Sequence, residues 1–140
     1  ESYIKEQKIE SWCKLLPPVD LKEIPQYIAN ADLPVLPFPD FMAWRVSSPI
    51  KLMEYLAMGK KVLAPNMEAF TDVFANHPDL IFYYNTNAEN QVNEISDCIK
   101  QIIDDSLLEQ VNPQDCVDFV SSKMTWEQQA NRLLNFCVNL

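Results

Sequence analysis

Lys51 and Glu54 stand three residues apart in the run Ser47-Ser48-Pro49-Ile50-Lys51-Leu52-Met53-Glu54. On a helix this spacing puts an ammonium and a carboxylate on neighbouring faces, one turn apart. The ammonium can hold an anion, and the carboxylate can accept two hydroxyl hydrogen bonds from a ribose. Ser48-Pro49 reads as the helix start, with serine as cap and proline at the first helical position. The amides near Ile50 and Lys51 then lack partners and carry partial positive charge. Such an end receives phosphate or carboxylate groups. Arg45 lies just upstream. Plainer roles fit the same residues. Glu54 suits a solvated helix face, Ser48 a pure cap and Arg45 a surface charge. A Lys51 pairing with Glu54 or Tyr55 is worth only ~0.2–0.5 kcal/mol.

The elements that must position these groups follow from the apolar pattern. Glu1 to Lys8 looks like the tail of a helix, and Ile9 to Leu16 reads as a strand closed by Pro17-Pro18. Asp20 with Glu23 resembles a capping box ahead of a helix carrying Ile24, Tyr27, Ile28 and Ala31. Leu33 to Phe38 reads as a buried strand despite Pro34. A loop from Pro39 to Ser47 leads to the helix at 48–58, which Gly59 ends in the left-handed conformation. Lys61 to Ala64 and Leu80 to Tyr84 read as short strands, separated by a helix with Phe70, Val73 and Phe74. Asn87 opens a long helix whose Val92, Ile95, Ile99, Ile102 and Ile103 form one stripe. Asn112-Pro113 starts another. Thr125, with Gln128 three residues on, caps the last, where Trp126, Ala130, Leu133, Leu134 and Cys137 share a face. Short apolar strands alternating with helices predict an α/β parallel sheet with flanking helices. Ligands then bind beyond the carboxyl ends of the strands, so loops 17–20, 38–48, 65–67 and 85–87 matter most.

Composition excludes several classes. The 140 residues carry 20 acidic and 11 basic side chains, a formal charge of -9, which argues against a general nucleic-acid or anionic-membrane binder. The lone Gly59 leaves no room for a Walker loop or a G-x-G-x-x-G turn. One histidine, His77, and four scattered cysteines argue against a zinc site, and no metal or cofactor is expected. The cysteines read as reduced, buried thiols of a cytoplasmic protein. No run of ~18 apolar residues exists, so no transmembrane segment is expected.

The stretch S-P-I-K-L-M-E-Y-L-A-M-G-K-K-V-L-A resembles the donor-site segment of GT-B-fold retaining glycosyltransferases of the bacterial surface-polysaccharide type. Glu23 to Asp32 is similar to the family's preceding helix, Leu33 to Phe38 to its next strand, and Thr125-Trp126-Glu127 to its closing helix. The resemblance covers nearly the whole chain. It implies a Rossmann-like sheet forming part of a donor-binding domain, with Glu54 on the nucleotide ribose. Ser47, Ser48, Pro49, Ile50 and Lys51 would face the diphosphate and sugar, and Val19 the nucleobase, with Arg45 nearby. In many members a further glutamate contacts the donor sugar, with seven residues between it and the ribose glutamate; Val46 occupies that position here. No catalytic residue is assigned.

The expectation is thus a donor-domain fragment binding a nucleotide diphosphate sugar. The full enzyme would transfer the sugar to a saccharide or lipid-linked acceptor and be cytoplasmic or membrane-peripheral. The acceptor domain and first donor-domain strands are expected upstream, and this piece alone is expected to be inactive. Its unpaired sheet edges would invite self-association. Two alternatives remain: an epimerase acting on sugar nucleotides with the same fold, and a non-catalytic α/β interaction module.

Overall fold

The computed structural model describes residues 1–139. Eight helices and two strands follow one another: α1 (Ser2–Glu6), α2 (Ile24–Ala29), α3 (Met42–Arg45), α4 (Ile50–Ala57), β1 (Val62–Pro65), α5 (Glu68–Thr71), β2 (Ile81–Tyr84), α6 (Gln91–Asp104), α7 (Pro113–Lys123) and α8 (Trp126–Val138). β1 and β2 pair in parallel, from Val62 opposite Ile81 to Pro65 opposite Tyr84. The chain is therefore α/β with a parallel pair.

Alternation along β1 builds the core on both sides of that pair. Val62 and Ala64 pack with Leu52 and Leu56 of α4, Cys116 and Phe119 of α7, and Phe70 and Phe74. Leu63 packs the other way, with Tyr84 and with Ile95, Ile99 and Ile102 of α6. All four residues of β1 are buried, as expected of a strand covered on both faces.

Gly59 ends α4 as expected. Its φ is +72°, its N–H donates to the Leu56 carbonyl at 2.9 Å, and the Lys60 N–H donates to the Tyr55 carbonyl at 3.0 Å. These two bonds make a Schellman ending. The Asn112 and Thr125 side chains accept from Gln114 and Gln128 amides, so α7 and α8 are capped where the sequence indicates.

Several expectations are corrected. Ile9 to Leu16 forms no strand; it runs through a turn into irregular chain without a sheet partner. Leu33 to Phe38 contributes one parallel bridge, Val35 to Leu63, flanked by bonds of Leu36 N–H to Leu63 O and Leu63 N–H to Pro34 O. Pro34 and Pro37 have no N–H to extend it. The long helix begins at Asn90, whose side chain accepts from the Asn93 amide, while Asn87 sits in a turn closed by Asn85. Asp20 accepts from the Lys22 amide in a tight turn, and Glu23 occupies the cap position of α2. Ser48 does not cap α4: Pro49 holds the cap position and no side chain bonds there. On α6, Val92 and Ile103 face solvent. On α8, Trp126, Leu133, Leu134 and Cys137 of the shared apolar face are all exposed, and Cys13 is exposed as well, so of the four thiols expected to be buried only Cys116 is fully so. Among the described residues, no helix is long and apolar enough to cross a membrane.

Candidate functional site

The bridge at Val35 and the strand at Val62 run parallel, so α4 must carry the chain back between them. That return sets its amino end on the side where the strands finish. Leu52 and Leu56 bury one face of α4, which turns Lys51 and Glu54 outward as exposed residues. The first amides of α4 lie beyond the reach of intrahelical acceptors and have no side-chain cap.

Lys51, Glu54 and Tyr55 form one wall of a cleft of about 310 Å³. Leu16, Pro17 and Val19, together with Ile24, Tyr27 and Ile28 of α2, supply much of the rest. Val19, Lys51 and Glu54, which the sequence assigned to one ligand, thus share a cleft. Arg45, Ser47, Ser48, Pro49 and Ile50 do not line it. Ser47 is half-buried and its hydroxyl donates to the Trp44 carbonyl at 3.0 Å, while Ser48 and Ile50 are exposed.

Arg45 is occupied elsewhere. Its Nε and Nη2 each donate to Asp40 at 2.6 Å, and its Nη1 donates to Glu68 at 2.8 and 3.0 Å. The guanidinium beside it holds the Asp40 carboxyl below its usual range, and the two carboxylates push Arg45 up in turn. Val46, at the position of the family's second glutamate, is exposed.

Tyr55 and Tyr27 are cleft residues not assigned from the sequence. Tyr55 stands four residues after Lys51, a helical spacing that places both on one face. Burial, reinforced by the Glu54 charge, raises the Tyr55 phenol above its ordinary range. Tyr27 follows from no local signal; it reaches the cleft because α2 packs there. A second, larger cleft of about 520 Å³ lies between the segment after α5, α7 and α8, lined by His77, Phe119, Lys123 and Arg132, and contains none of the expected site residues. In comparisons with known proteins, no family model, curated protein or solved structure matches the chain.

Proposed function

We propose that the cleft between α2 and α4 receives the nucleoside diphosphate part of a sugar donor, in a glycosyltransferase of the GT-B type. The observation that carries this reading is the convergence of Val19, Lys51 and Glu54 on one cleft. Its volume suits a nucleoside, since small-ligand sites begin near ~300 Å³. The apolar wall at Pro17, Val19 and Tyr27 would receive the base. Glu54 would accept from the ribose hydroxyls. Lys51 and the uncapped amides of α4 would stabilise the negative charge growing on the diphosphate as the glycosidic bond breaks. Arg45 has no direct part in this reading, because two carboxylates already hold it.

The acceptor, saccharide or lipid-linked, would come from a separate domain, and the chain alone would not turn over a sugar nucleotide. Titration with UDP or GDP tests the reading. It predicts saturable amide shifts over residues 47–55 and at Val19. The other walls of the cleft are mostly apolar, which favours a second reading, an apolar docking groove of a non-catalytic module. No shift in that region with either nucleotide would select the groove.

A further inference from the structure

We propose that Arg45 is the positioning residue of the diphosphate site: with Asp40 and Glu68 it forms a double ion pair that fixes the amino end of α4. This inference rests on the reading of the α2–α4 cleft as a nucleotide site.

The pair joins three parts of the chain. Asp40 lies in the loop after the bridge residue Val35, Arg45 ends α3, and Glu68 opens α5 just beyond β1. Four short hydrogen bonds from one guanidinium reach both carboxylates. Lysine, with a compact ammonium, cannot reproduce that fork. Salt bridges on open surfaces contribute little, but bidentate arginine pairs with good geometry are the exception.

Little else anchors the segment. Phe41, Met42 and Val46 are all exposed, and of the segment's apolar residues only Trp44 packs, half-buried, against the core. Its other anchor is the Phe38–Trp44 stack, with ring centroids 4.4 Å apart and planes within 5°. Phe38 is in turn held from below, because the Tyr84 hydroxyl sits 3.1 Å from its carbonyl oxygen. From Arg45 only four residues lead to Ile50, the first of α4. A span that short passes on any displacement of α3. The uncapped amides of α4 and Lys51 would move with it, while Glu54, one turn deeper on a helix buried through Leu52 and Leu56, would stay. Arg45 therefore acts on the diphosphate part of the ligand and not on the ribose.

The test compares Arg45→Ala, Arg45→Lys and Glu68→Gln in the 140-residue chain. Hydrogen exchange is followed at the Trp44, Ser47 and Leu52 amides, each of which is hydrogen-bonded in the segment. Affinities are measured for UDP and for uridine. Arg45→Ala should speed exchange at those amides by about tenfold or more and leave α6 unchanged. It should weaken UDP by roughly tenfold and uridine by less than twofold. Arg45→Lys should recover less than half of the exchange protection, and Glu68→Gln should fall between. Unchanged exchange in Arg45→Ala overturns the proposal, whether or not UDP is lost, because loss without loosening means direct contact. Equal weakening of UDP and uridine also overturns it. If the unaltered chain binds neither ligand, the nucleotide reading fails, and the exchange rates alone still decide whether Arg45 fixes α4.

Discussion

Replacing Gly59 by alanine tests the arrangement of α4, β1 and α7 at a single atom. Gly59 has a φ of +72°, and a Cβ built there would lie 2.9 Å from the Cβ of Pro113 and 3.3 Å from its carbonyl oxygen. Two costs follow. A non-glycine residue in the left-handed region loses about 1–2 kcal/mol. Forcing an extra carbon into a packed contact costs about 1–3 kcal/mol, and here the opposing atoms belong to a proline and its backbone, which cannot rotate away. Alanine also restricts the unfolded chain, which offsets about 0.4–1 kcal/mol. The net loss should be about 2–3 kcal/mol. At ~3–4 °C per kcal/mol for a chain of this size, Tm should fall by roughly 6–12 °C. Gly59→Asn separates the two costs, since asparagine tolerates the left-handed region but still carries the carbon that meets Pro113. It should lose about half as much as alanine. Urea and thermal unfolding followed by circular dichroism read both. A loss below ~0.5 kcal/mol for alanine would refute the close approach of the α4 ending to α7.

Three further outcomes are expected. Glu54→Gln should weaken UDP by roughly tenfold, since a hydrogen bond to a charged group contributes ~1.5–3 kcal/mol and glutamine keeps one acceptor; pyrophosphate affinity should be unchanged, and an equal loss of both ligands, read by calorimetry, contradicts the ribose assignment. Tyr84→Phe removes a hydroxyl that bridges the Leu36 and Phe38 carbonyls at 3.2 and 3.1 Å and should cost about 1–1.5 kcal/mol in urea unfolding. Burial pushes the Tyr84 phenol up to about 12; the unfolded chain, with tyrosine near ~10, releases that proton first, so stability falls as pH rises from ~10 through about 12, and the phenylalanine variant should show a shallower alkaline decline. Asn112→Ala removes the side-chain cap of α7 and should cost about 1 kcal/mol by the same measurement, and Asn112→Asp should lose part of that, because it keeps the cap oxygen but replaces the amide that donates to Asp115 at 2.9 Å with a second carboxylate.

The parts of this fold that can be read from the chain are those set within a few residues. Asn112-Pro113 and Thr125 with Gln128 mark helix starts because the capping oxygen and the amide it serves are neighbours. Gly59 marks a helix end for the same reason. The apolar runs at β1 and β2 are legible because each is short and followed by turn residues. Ile9 to Leu16 interrupts its apolar residues with Glu10, Ser11 and Lys14, and a strand also needs a partner, which distant chain decides. Asn87 reads as the start of the long helix, but the helix whose Ile95, Ile99 and Ile102 pack with Leu63 is capped three residues later, by Asn90. In the cleft, Lys51 and Glu54 follow from helix spacing, whereas Tyr27 and the Asp40–Arg45–Glu68 pair depend on segments up to 28 positions apart in the chain, from Asp40 to Glu68. Arg45 looks free in the sequence because neither partner carboxylate announces itself.

The uncovered face of α8 divides the energetics of the chain unequally. None of its residues is buried, and a 13-residue helix is marginal in water without tertiary support. Its backbone therefore opens and closes as a nearly independent unit, at a free energy well below that of the α4–β1–α7 block. Proteases would meet this helix first. Losing it would leave the remainder of the chain, with the cleft between α2 and α4, close to its original cooperativity.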